Sequence, residues 1–95
     1  MKFQLGRIFS TPGALRCLTQ EEMLALLARH MDGDWGVVDA EDRATNDYAV
    51  VAGARILSAY AIDPTLPCKG HGANTVWVVT EGDRRYTTFL LPEEY

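Results

Sequence analysis

The sequence predicts a single α+β domain, and three observations carry that prediction. Residues 19–31 and 39–52 each begin with helix-start chemistry and continue with apolar residues at helical spacing. Residues 75–91 hold two runs rich in Val, Thr and aromatics on either side of Gly82-Asp83, the pattern of a hairpin. The chain has 95 residues, 47% hydrophobic and 23% charged, an ordinary globular make-up. A chain of this size buries about 60–68% of its unfolded surface, enough for one modest core without metals or disulfides.

The elements follow in order. Lys2 to Phe9 alternates, with Phe3, Leu5 and Arg7 on one side and Gln4, Gly6 and Ile8 on the other, and reads as a first strand. Thr11-Pro12 opens a short helix, Thr11 as N-cap and Pro12 at the first helical position, carrying Ala14, Leu15 and Leu18. Thr19-Gln20-Glu21-Glu22 is a capping box. Its helix runs to about Met31, with Met23, Leu24, Leu27 and Met31 as the apolar face. Arg29 and His30 place positive charge in the last turn, where it suits the helix dipole, and Gly33 and Gly36 end the element.

Asp39 caps the next helix at the amide of Asp42, and Ala44, Tyr48, Val51 and Ala52 form its expected buried stripe. Gly53 is its stop. Arg55 to Ile62 reads as a strand. Asp63 to Ala73, with two prolines and two glycines, is a loop, long enough to be an insertion or a functional loop.

Glycine at the first loop position of the hairpin favours a type II′ turn. A two-residue loop then sets Glu81 against Arg84, Val79 against Tyr86, Trp77 against Thr88 and Val76 against Phe89. One face carries Val76, Val78, Phe89 and Leu91; the other carries Trp77, Val79, Tyr86 and Thr88. Both are too apolar for full solvation. One is expected to pack on the helices, and the other to lie under the loop, a second chain or a partner.

Charge and cysteine content narrow the function classes. Net charge is −4, which opposes a passive electrostatic grip on nucleic acid. No apolar run approaches the ~18 residues that span a bilayer. Cys17 and Cys68 are far apart in sequence, the N-terminal residues do not form a secretory segment, and the two thiols are expected to be reduced. The expected location is the cytoplasm.

Four constellations invite chemistry. The acidic run Asp32, Asp34, Asp39, Glu41, Asp42 fails as a calcium loop, because counting from Asp32 puts Val37 where glycine is needed and Arg43 where glutamate is needed. Turn and cap roles explain Asp39 and Asp42. Cys68, His71 and His30 do not complete a metal-ligand pattern. Trp35, between glycines, reads as a core anchor whose N–H seeks Asp34 or Asp39. Arg55, Arg84 and Arg85 could converge on a phosphate or carboxylate; the plainer account pairs Arg84 with Glu81 and leaves the others solvated.

Three segments together carry a family resemblance: LGRIFSTPGALRCL, HMDGDWGVVDAEDRATND, and RILSAY with VWVVTEGDRRYTTFLLPEEY. They resemble a family of small proteins encoded on bacterial plasmids and integrated mobile elements, often labelled plasmid-related proteins or restriction–modification subunits. The likeness spans most of the chain. It centres on GDWG at 33–36, Glu41-Asp42, Asn46, and the T-E-x-D-R and TT-x-LLPEEY stretches of 80–95. Two departures alter the surface near the hairpin: a longer loop at 63–73, and Arg85-Tyr86 in place of smaller residues. A methylase is excluded, since the chain lacks a glycine-rich strand–turn–helix and the length for a methyl-donor domain.

The resemblance implies a non-enzymatic accessory protein without cofactor that binds another protein or a second copy of itself. The expected contact is the second hairpin face, with Trp77 and Tyr86 central, Glu81, Asp83, Arg84 and Arg85 at the tip, and Arg55 nearby. The alternative is a ribonuclease, because residues 55–89 are also similar to the C-terminal sheet of barnase-like guanyl-specific enzymes. Those use a carboxylate base, a histidine acid and arginines on the phosphate. Here Arg84 stands where that histidine belongs, and neither His30 nor His71 has a matching strand context, so the alternative extends to a toxin-like fold that has kept its binding surface and lost its chemistry.

Overall fold

The structure, a computed structural model, describes residues 1–95. The elements are β1 (Arg7–Ser10), α1 (Pro12–Cys17), α2 (Gln20–Met31), α3 (Ala40–Ala52), β2 (Ile56–Ala61), β3 (Thr75–Thr80) and β4 (Tyr86–Leu90), closed by a 3-10 turn at Pro92–Glu94. The fold is α+β. One four-stranded sheet has the order β1-β4-β3-β2. β2, β3 and β4 form the antiparallel meander, and β1 joins its far side parallel to β4. No helix is long and apolar enough to cross a membrane.

The helix starts follow local chemistry closely. The Thr11 hydroxyl accepts from the Ala14 amide at 3.2 Å, with Pro12 in the first turn of α1. Thr19 and Glu22 complete both bonds of the capping box at 3.1 and 2.8 Å. Asp39 caps Asp42 at 2.8 Å, and Gly53 ends α3 with a left-handed φ of 72°.

The buried faces of α2 and α3 differ from expectation. α2 turns Leu26, Leu27 and His30 inward with Met23 partly buried, while Leu24 is exposed. α3 buries Asn46 and Ala49, leaving Tyr48 71% and Val51 88% exposed. The reason lies on β2. Leu57 turns its backbone away from β3, and the Asn46 amide group bonds both of its groups, donating to the carbonyl at 2.8 Å and accepting from the amide at 3.1 Å. That pairing fixes the rotation of α3, and Tyr48 and Val51 fall on the outside.

The first strand is shorter than expected. Gly6 has a φ of +67° and lies so close to the Arg85 carbonyl that a Cβ would collide with it, so regular pairing begins only at Arg7. Residues before it dock elsewhere. The Lys2 amide bonds the Met31 carbonyl at 2.8 Å, and Phe3 enters the core.

The core lies between the helices and the inner sheet face. Ala14, Leu18, Leu26, Leu27, Tyr60, Val76, Val78 and Phe89 form the larger cluster; Phe3, Trp35, Ala49 and Ile56 form a smaller one beneath α3. Trp35 is a core anchor as expected, but its indole N–H donates to Asp47 at 2.9 Å rather than to Asp34 or Asp39. Asp34 is taken by Arg29, whose guanidinium bonds it at 2.7 Å and holds its carboxyl below the usual range.

The hairpin is real, with its register moved by two residues. Thr80 faces Thr87, Val79 faces Thr88, Val78 faces Phe89 and Trp77 faces Leu90. The loop is therefore Gly82 to Arg85. The Arg84 amide bonds the Glu81 carbonyl at 2.9 Å, and Arg84, with φ +61°, takes the left-handed position. Gly82 has no positive φ, so the expected II′ turn is absent. A two-residue slip preserves side-chain parity, so each face keeps the residues assigned to it.

Candidate functional site

The outer sheet face is where the expected contact residues divide. Trp77, Val79 and Leu90 lie near its centre, with Tyr86 toward β1. Trp77 is half-buried, and its indole N–H donates to the Gly70 carbonyl in the long loop at 2.9 Å. The Tyr95 ring packs edge-on against it at 5.4 Å. Arg55 lies 4.8 Å over the Tyr95 ring, bonds its hydroxyl, and approaches Glu81 at 3.6 Å. The face is thus partly roofed by the chain's own loop and C-terminal residues.

The three arginines do not converge. Arg84 turns inward: its guanidinium donates to the Ala49 carbonyl at 2.8 Å and the Ala54 carbonyl at 2.7 Å, at the C-terminal end of α3. A helix C-terminus presents unpaired carbonyls and negative potential, so this is a stabilising place for a cation. Arg84 does not pair with the Glu81 carboxylate; it reaches that residue's backbone carbonyl at 3.1 Å. Arg85 points out with Asp83 at 3.7 Å.

Between the outer face and the loop lies a groove of ≈ 610 Å³. Its floor is Leu57, Ala59 and Trp77, with Val37 beside them. Lys69 and His71 stand on one rim, Asp39 and Asp42 on the other. A smaller hollow of ≈ 190 Å³ shares Asp42 and Leu57 and carries the depression toward Arg55. The rim is held in place. Asn74, at φ +56°, donates to the carbonyls of Asp63 and Pro67 at 3.0 and 3.2 Å and accepts from the Asp63 amide at 2.8 Å. Gly70 passes so close to the Val37 carbonyl that a Cβ would strike it.

His30 sits apart, fully buried on the inner side of the sheet. Its Nδ1 is 2.6 Å from Ser58 Oγ and its Nε2 2.9 Å from Thr80 Oγ1. Thr80 is 2.6 Å from Thr87, whose hydroxyl donates to the Leu5 carbonyl at 2.8 Å. The proton order follows from that last acceptor. Thr87 gives its proton to Leu5 and accepts from Thr80. Thr80 then accepts from Nε2–H, and Nδ1 accepts from Ser58. This is a neutral imidazole with one tautomer. Burial, and secondarily the Arg84 charge, lower its pKa to about 4. His71 is exposed on the groove rim, and Cys17 and Cys68 are free thiols. No group of three or more His, Cys, Asp or Glu side chains is placed to hold a metal ion.

Sequence reasoning named Trp77 and Arg55 as contact residues, weighed Asp42 and His71 only in cap and metal roles, and did not single out the groove residues Val37, Leu57 and Lys69. The length of the 63–73 loop was the available signal. A scan of protein-family models, a search of curated proteins and a search of solved structures each find no match to this chain.

Proposed function

We propose that this chain is a non-enzymatic binding protein that seats a segment of another protein in the groove on the outer sheet face. The observation that carries this reading is the groove's composition. A half-buried Trp77, with its N–H already satisfied by Gly70, floors a cavity of ligand-binding size between a basic rim and an acidic one. Opposed charges suit a polypeptide of mixed charge. A phosphate backbone would meet Asp39 and Asp42 as well as a net charge of −4. An accessory role on a mobile element, implied by the resemblance of GDWG and the hairpin segment, fits a small binding module.

Catalysis on RNA finds less support. His30 is sealed in the core with both nitrogens engaged, and Arg84 is spent on the end of α3.

The test is selection of short peptides from a random display library on the purified protein, followed by titration of the selected peptides. Binding should lose about tenfold or more on Trp77→Ala, as a central aromatic anchor does, and should weaken on Lys69→Glu. Selected peptides that bind Trp77→Ala as well as wild type would exclude the groove. Cleavage of labelled RNA by the purified protein would favour the ribonuclease reading instead.

A further inference from the structure

The two edges of the sheet are treated differently. On the β2 edge, Asn46 occupies the outward backbone groups of Leu57. The strap around Gly36 occupies those of Ala59: its amide donates to the Trp35 carbonyl at 3.0 Å, and its carbonyl accepts from the Val37 amide at 2.7 Å. This is deliberate blunting of an edge that could otherwise pair with another chain. The β1 edge has no such cover. The amides of Arg7 and Thr11 point into the sheet, bonding the carbonyls of Arg85 and Phe89 at 3.0 Å each, so Ile8 and Ser10 turn their backbone groups outward. None of the chain's turn, loop or side-chain hydrogen bonds reaches those groups. Ile8 is 44% exposed and Phe9 49% exposed. Phe9 meets the 41%-exposed Tyr86 ring edge-on at 5.7 Å on the outer face.

We infer that β1 pairs with β1 of a second copy, antiparallel about a two-fold axis at Phe9, joining two sheets into one of eight strands. The register is dictated by which groups face out. Hydrogen-bonded antiparallel pairs require outward groups on both strands, and the register that uses all of them sets Ile8 against Ser10 of the second copy, a pair repeated by the two-fold axis. Phe9 then opposes its own copy with a Tyr86 at each side, closing an exposed four-ring patch. The same register sets Arg7 against Thr11 of the second copy. Thr11 carries Glu94, whose carboxylate it bonds at 2.5 Å and which also accepts from the Gly13 amide at 3.0 Å. Side chains directly opposite in a ladder stand about 5 Å apart, so each Arg7 guanidinium reaches the other copy's Glu94 carboxylate, twice by symmetry. The contact is a short strand and a small patch, below the size of a tight dimer, so the association is weak, with a Kd of order 100 μM.

Sedimentation equilibrium from about 10 μM to about 1 mM brackets that value. The weight-average mass should rise from 10.5 kDa toward twice that figure, and less so in high salt, which screens the Arg7–Glu94 pairs. Ile8→Pro removes an outward amide that the monomer does not use, and proline is tolerated on an edge strand. Phe9→Asp opposes two carboxylates at the axis. Each should raise the Kd at least about tenfold while the far-ultraviolet spectrum stays native. If Ile8→Pro fails to fold, Phe9→Asp decides, since its side chain is on the open outer face. Wild type remaining at 10.5 kDa throughout, or a dimer unchanged in both folded variants, would overturn the inference. Trp77→Ala should leave the mass curve unaltered, so the groove reading and the edge pairing fail independently.

Discussion

His30 is held neutral by its partners, and acid is what it resists least. Its folded pKa lies near 4 against an ordinary value of 6.5, so the unfolded chain takes up the proton first as pH falls. The stability that the neutral ring contributes is complete above about pH 6.5 and lost progressively down to pH 4. Protonation would also force Nδ1 to donate to Ser58, turning that hydroxyl from donor to acceptor, while the run from Nε2 through Thr80 and Thr87 to Leu5 keeps its order. Unfolding by urea at pH 5 should show about 2 kcal/mol less stability than at pH 7, and His30→Gln should flatten that slope. An unchanged slope in a folded His30→Gln would assign the acid sensitivity elsewhere. Arg84 is the second residue that decides more than its own position. Its left-handed backbone is uncommon for a bulky residue, and two bonds to carbonyls at the end of α3 offset that strain. Arg84→Ala should lower stability by about 2 kcal/mol, read as a shift of the urea midpoint with unchanged m.

At the scale of elements, the helix starts were legible because a cap is a contract between residues three apart. Thr19→Ala should cost about 1 kcal/mol and fray the first turn of α2, visible as faster amide exchange at Glu22. The face of α3 was not legible, because its apolar spacing names Tyr48 and Val51 while a polar residue, Asn46, does the docking. Nothing local announces that an asparagine will pair with a strand backbone eleven residues on. Asn46→Ala should therefore be costly despite its mild chemistry, about 2 kcal/mol, since it strips both partners from Leu57. It should also raise the aggregation rate by opening the β2 edge, which light scattering would report. The hairpin illustrates the intermediate case. Composition marked the two strands and their faces, but the loop length hung on whether Gly82 or a later residue would take positive φ, and that was settled by the reach of Arg84 to α3.

At the scale of the whole molecule, the outer face was readable as a surface too apolar to stand bare, and the loop was one of three covers named for it; which of the three applies, and the part played by Tyr95, were not readable. Trp77 is covered by Gly70 and Tyr95, contacts that depend on how a long loop and the final residues fold over the sheet. Asn74 is the hub of that loop. Asn74→Gly would keep its left-handed backbone yet lose its side-chain bonds, so it should loosen the rim and increase quenching of Trp77 fluorescence by iodide, with the global midpoint shifted by less than about 1 kcal/mol. The parallel seam between β1 and β4 has a temporal consequence. Residue 7 lies beside residue 86, so this seam closes a loop of nearly the entire chain. Closure over such a span carries a high entropic cost and makes for a slow search. Until it closes, the meander of β2, β3 and β4 waits with the bare side of β4 turned to solvent, and a refolding chain at high concentration is most prone to capture by a neighbour in that interval.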